Sequence, residues 1–195
     1  MIFTIFLIPV TAGSVERVTE VVRVVAQSEP VLKINERSQE SVTSFGVTLE
    51  NGDEVITEES GRATILPSML DDSDEIYLLP LSRIRFIEEV THENRTIFRI
   101  HLMYGKLKAR SMMSRSKQVH IDTELVDAIS NEGEFIIESN RQGTTIGTTA
   151  GMVRVVIKAT NEEIQLHQFS MITISRFSSS HEVKNLNSAF LKDVF

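Results

Sequence analysis

"LENGDEVITEESGRATIL", Leu49 to Leu66, carries two turn signals, Asn51-Gly52-Asp53 and Ser60-Gly61-Arg62. Between and after them, Val55 and Thr57, then Ala63 and Ile65, fall on alternate positions. That is the period of a strand with one face buried, and the glycine turns make it strand-turn-strand. Nothing in the stretch attacks, abstracts or ligates in any obvious way.

Outward from this point, period-two patterning continues. Ser82, Ile84 and Phe86 share a face of "SRIRFIEEV" against Arg83 and Arg85. In "RTIFRIHLMYG" one face carries Phe98, Ile100, Leu102 and Tyr104, and the other Arg99 and His101. Val119, Ile121 and Thr123 alternate with Gln118, His120 and Asp122. Val153, Val155 and Ile157 alternate with Arg154 and Lys158, and Ile164 and Leu166 with Gln165 and His167. The valine-rich "SVERVTEVVRVVAQ" is expected to enter a strand from about Val21. The pattern predicts an all-β fold of about a dozen short strands, a β-sandwich or an irregular β-solenoid. At the end, "SSSHEVKNLNSAFLKDVF" places Ser179 and Glu182 as a capping box. Val183, Leu186, Phe190 and Val194 follow at spacings of three and four, which predicts a short amphipathic helix over 178–195. The main all-β domain is expected over 13–177.

The composition bounds the function. The chain has 195 residues, 41% apolar, a net charge of -7 and no cysteine. This supports a packed core, disfavours a general nucleic-acid binder, and excludes disulfides and thiolate chemistry. The apolar start "MIFTIFLIPVTAGS" is too short to cross a bilayer. Residues 1–12 read as the remnant of a secretory signal or as a buried first strand.

A search for chemistry finds no nucleophile elbow and no convergent histidines. His120 and Asp122 share a strand face and could offer two ligands, but a solvent-facing pair is the plainer expectation. The acidic "DDSDE" (Asp71, Asp72, Asp74, Glu75) lacks the glycine a calcium loop uses, so it reads as a solvated hairpin tip. Adjacent carboxylates such as Glu58-Glu59 and Glu88-Glu89 point to opposite faces of a strand. "GTTIGTTAG" lacks the lysine of a phosphate loop and reads as a turn between strands. No catalytic, cofactor or metal site is expected.

The most specific electrostatic feature is "YGKLKARSMMSRSKQ". Lys106, Lys108 and Arg110 alternate along a strand, Arg115 and Lys117 follow, and no acid intervenes before Ile121. These five residues form a basic stripe. It could dock an acidic partner or an anionic envelope polymer, or be a solvated face that protects an edge strand.

The chain resembles the FecR domain, an extracytoplasmic all-β module. Leu49, Gly52, Asp53, Val55, Thr57, Gly61, Arg62, Ala63 and Ile65 follow its signature in order. Leu78, Pro80, Ser82 and Ile84 come next, then Leu102, Gly105 and Leu107. Thr123, Gly133, Glu134 and Phe135, and finally Gly151, Val153 and Val155, complete the series. The similarity spans about residues 20–175. The resemblance implies a non-catalytic protein-interaction module of the bacterial periplasm. In regulators of the iron-citrate type, such a domain receives a signal from an outer-membrane transporter and controls a sigma factor. It also implies that Gly52 and Gly61 are sheet corners, and that Thr57 and Arg62 tie strands as scaffold. The regulators carry a sigma-binding region and a membrane helix before this domain. This stretch shows only a short apolar start, so a direct transmembrane anti-sigma role is not expected of it alone. The expected partner is another envelope protein, held by strand addition or by the stripe, and self-association is a further expectation. The alternative is a structural or peptidoglycan-binding envelope component, which the absence of tryptophan disfavours.

Overall fold

The structure is a computed structural model that describes residues 22–66, 75–90, 96–111, 117–130, 132–178 and 181–192. In chain order the strands begin with β1 (Val22–Ser28), β2 (Val31–Ile34), β3 (Gln39–Ser41), β4 (Val47–Leu49), β5 (Glu54–Thr57) and β6 (Arg62–Leu66). There follow β7 (Glu75–Leu78), β8 (Ser82–Val90), β9 (Thr96–Ser111), β10 (Lys117–Asp122) and β11 (Val126–Ser130). The last are β12 (Gly133–Ser139), β13 (Gly143–Ile157), β14 (Glu162–His167), β15 (Ser170–Ser175) and β16 (Val183–Asn185), before a single turn of helix, α1 (Ser188–Leu191).

These strands form two sheets. The first runs β4-β1-β6-β7-β9-β12-β13-β15-β16. The second runs β3-β2-β5-β8-β9-β10-β11-β13-β14. Apolar side chains from both sheets, among them Ile65, Ile76 and Phe135 from the first and Val55, Phe86 and Ile121 from the second, form one buried cluster. The fold is therefore all-β, a sandwich whose strands advance nearly in sequence order from one end to the other. All pairings are antiparallel except β9 with β10.

Two long strands belong to both sheets, and each changes sheet by the same device. Along β9, Phe98, Ile100 and Leu102 point inward, then Leu107 and Ala109 do. The buried face thus slips from even to odd positions. A bulge leaves Met103 without a partner on β8, and Gly105 follows at φ 99°. Along β13, Thr144, Ile146 and Thr148 are buried, then Val153, Val155 and Ile157. The register skips Thr149, and Gly151 follows at φ 69°. A bulge adds the residue that reverses the side-chain alternation, and glycine accepts the positive φ that redirects the strand.

This device corrects two expectations. Tyr104 does not continue the buried face of Phe98–Leu102; it is 43% exposed because the bulge at Met103 turns it outward. "GTTIGTTAG" is the first half of β13 rather than a turn, held between β12 and β15. The carboxyl-terminal helix is present but confined to Ser188–Leu191, with Asn187 as its N-cap. Val183, read as part of the helix, lies in β16 opposite Ile172. Residues 1–12, His92, Met112, Met113, Arg115 and Ser179 lie outside the described residues, as do Asp71, Asp72 and Asp74. Among the described residues, no helix is long and apolar enough to cross a membrane.

Candidate functional site

The signature residues build one edge of the sandwich. Thr57 ends β5 and is buried; its hydroxyl donates to the Leu79 carbonyl at 2.6 Å and accepts from the Ser82 amide at 3.0 Å. The Ser82 hydroxyl in turn meets the backbone of β9, donating to the Lys106 carbonyl and accepting the Lys106 amide at 2.9 Å. Gly105 lies so close that a Cβ there would sit 2.4 Å from the Ser82 Cα. Three strands are thereby tied at one corner by buried polar groups that satisfy one another. Elsewhere the signature is also scaffold. Asp53 accepts the Glu50 amide and pairs with Lys33. Gly61 approaches the Pro30 carbonyl too closely for any side chain. Thr123 accepts the Leu125 and Val126 amides. Gly133 takes φ 140° at the start of β12. Leu49, Val55, Ala63 and Phe135 are core residues, Gly52 takes φ 94° in its turn, and Arg62 is exposed on β6.

The corner also presents what the alternation did not reveal. Leu81, Met103 and Tyr104 are exposed there. Two open troughs, of about 750 and 490 Å³, meet at Leu81 and Tyr104. The available signal was a conflict of parity, because Leu102 and Lys106 cannot face core and solvent on one regular strand.

The basic stripe lies on the outer face of the first sheet. Its strand, β9, is interior there, between β7 and β12, so the lysines do not protect an edge. Lys108 Nζ is 3.0 Å from Glu134. Lys106 Nζ is 3.8 Å from Glu138, lies 4.7 Å from the centre of the Phe190 ring, and donates to the Phe190 carbonyl. Arg110 stands opposite Glu75 and Glu134. The Tyr77 hydroxyl donates to Glu75, and that bond, with burial, pushes the tyrosine up to about 12. Three carboxylates from neighbouring strands thus face the three cations, a match that single-strand spacing could not show. Lys117 begins β10, on the second sheet.

On the outer face of the second sheet, the parallel β9–β10 pair brings together residues distant in sequence. His101 Nδ1 is 2.5 Å from Asp122, which also accepts from Lys158. Burial opposes the charge on Asp122, but the His101, Lys158 and Asp127 hydrogen bonds outweigh it and hold the carboxyl well below the usual range. Burial, then the bond to Asp122, holds Asp127 above it. His120 is 7% exposed, not solvent-facing as expected. Its Nε2 meets Gln118 Oε1 at 2.8 Å and its Nδ1 the Arg99 guanidinium at 3.4 Å. Burial, then the charges of Arg99 and Arg154, lower it to about 4. The His101–Asp122–Lys158 pairs join β9, β10 and the residue just after β13 and so brace the sheet. Among the described residues, no three potential ligands converge on a metal position.

No protein-family model matches the sequence, and no curated protein is similar to it in sequence. The fold does have solved counterparts. Two crystal structures described as a putative anti-sigma factor from Parabacteroides distasonis superpose with a TM-score of 0.57 each, at 15% and 16% identity. Each match covers 69% of this chain and 60% of the other. The chain is therefore similar in fold to those proteins over somewhat more than half of their length.

Proposed function

We propose that this chain is a non-catalytic, extracytoplasmic protein-interaction domain of the FecR type, contributing to envelope signalling or assembly. The observation that carries the reading is the fold shared with the P. distasonis structures. The signature residues support it, because Thr57, Ser82 and Gly105 are spent on tying strands together and leave binding to the surface. The perturbed groups on the second sheet are committed to internal pairs, which favours bracing over acid–base chemistry. The terminal strands among the described elements, β3, β4, β14 and β16, are the edges available for strand addition.

The test uses the tagged full chain in its native cells. After photo-crosslinking, capture of a transport, secretion or sigma-pathway envelope protein supports the reading. Digestion of the tag-bearing chain by protease added to spheroplasts supports the extracytoplasmic placement. Recovery of peptidoglycan fragments, or only of the chain itself, would replace the reading with a structural envelope component.

A further inference from the structure

Two backbone irregularities meet where β5, β8 and β9 turn over, and between them they send three large side chains into solvent. Leu81 sits at φ 56°, a conformation leucine rarely adopts, and is 59% exposed. It is held there by its amide donating to the Glu58 carbonyl and by the bonds of the Thr57 hydroxyl to Leu79 and Ser82 on either side. Met103 is the unpaired residue of the β9 bulge, and Tyr104 follows it outward. Folding alone gives no reason for this arrangement. Glycine or asparagine would fit the position of Leu81 with less strain, and polar residues would suit the bulge. Strain retained to expose apolar surface marks a binding surface.

The ends of the surface differ in charge. Glu58 and Glu59, both exposed, line the trough on one side of Leu81 and Tyr104. Arg141, also exposed, lines the trough on the other side. None of the three has an ion-pair partner among the described residues, whereas the neighbouring Lys106 and Arg176 are paired with Glu138 and Glu124. An open trough with an apolar middle, one acidic end and one basic end complements an elongated segment of the opposite pattern.

We infer that this corner is a peptide-docking groove. Its ligand is a protein segment with apolar side chains seated on Leu81, Met103 and Tyr104, a basic residue facing Glu58 and Glu59, and an acidic residue facing Arg141. The inference rests on the protein-interaction reading and names the surface that carries it.

The experiment selects a phage-displayed library of random dodecapeptides on the full chain and measures enriched peptides against variants. The expected consensus is an apolar pair flanked by lysine or arginine on one side and aspartate or glutamate on the other. Leu81→Asn, which suits the left-handed backbone, should keep a thermal midpoint at least as high as the parent while binding at least about tenfold more weakly. Arg141→Glu should weaken binding about tenfold, and a peptide whose acidic end is changed to lysine should recover it. No enrichment, a consensus without the charges, or equal binding by Leu81→Asn would overturn the groove. So would a dimer of the parent chain that Leu81→Asn dissociates, since the occupant would then be a second copy. In cells, a parent chain that captures no envelope protein defeats the interaction reading itself. Equal capture of one envelope protein by parent and Leu81→Asn defeats only the groove.

Discussion

Two glycines of similar φ separate backbone strain from steric exclusion. Gly52 takes φ 94° with nothing within 4 Å of where a Cβ would stand, whereas at Gly105, φ 99°, a Cβ would meet the Ser82 backbone. Gly52→Ala should therefore cost only the strain of a positive φ, about 1–2 kcal/mol. Gly105→Ala should cost about 3 kcal/mol or more, because β8 and β9 must part and the Thr57–Ser82 bonds with them. Urea denaturation of both variants checks the difference, and equal losses would deny the close approach. His120 gives a pH-dependent prediction. Its folded value of about 4 lies below the ordinary 6.5, so between those values the unfolded chain binds a proton that the folded chain refuses. Stability is then lost as pH falls from about 6.5 to 4 and is flat below that on this account, by up to about 3 kcal/mol. His120→Gln should remove that part of the slope in denaturation measured across the window; an unchanged slope would place the titration elsewhere.

The carboxyl-terminal segment is held by few contacts that can be loosened singly. Leu186 and Phe190 lie over Gly147, where a Cβ would meet their side chains at 2.5 and 2.9 Å. Three residues of β16 pair with β15, and Lys106 binds the Phe190 carbonyl. A one-turn helix has no stability of its own, so packing fixes it. Phe190→Ala should release the segment by about 2 kcal/mol and speed exchange of the Val183–Leu186 amides about 30-fold, leaving β8 and β9 amides protected. Uniform loss of protection would instead make Phe190 part of the main core. That Leu186 and Phe190 dock on one side was legible in the sequence, although only Phe190 lies in the helix and Leu186 precedes its N-cap. That Val183 belongs to a strand was not, because β15 supplies its pairing from a distance. The same limit applies to the candidate site. Alternation gave the faces of β8, β10 and the lower half of β9. It also set Phe98, Ile100 and Leu102 on the same parity as Lys106, Lys108 and Arg110, which one regular strand cannot both bury and wet. It could not supply the parallel register that sets His101 against Asp122, nor the β12 register that sets Glu134 and Glu138 against the lysines, because register between remote strands is not written in either strand alone.

Because β9 and β13 each run through both sheets, neither sheet can lose its central strands while the other keeps its own. The core is likewise continuous from Ile65 and Phe135 to Phe86 and Ile121. The chain of 195 residues is longer than most that unfold in a single step, so shared strands make a prediction that size alone would not. Unfolding in urea should be one cooperative transition among the described strands. The chain has two tyrosines and no tryptophan, which makes the check direct. Tyr77 lies on the first sheet and Tyr104 at the corner of the second. In Tyr77→Phe the remaining fluorescence reports the corner, and in Tyr104→Phe it reports the first sheet. Within each variant the fluorescence midpoint should coincide with that of far-ultraviolet circular dichroism. A fluorescence midpoint that precedes the dichroism in either variant would mean that one sheet opens first, and that the glycine crossings are hinges rather than rigid ties.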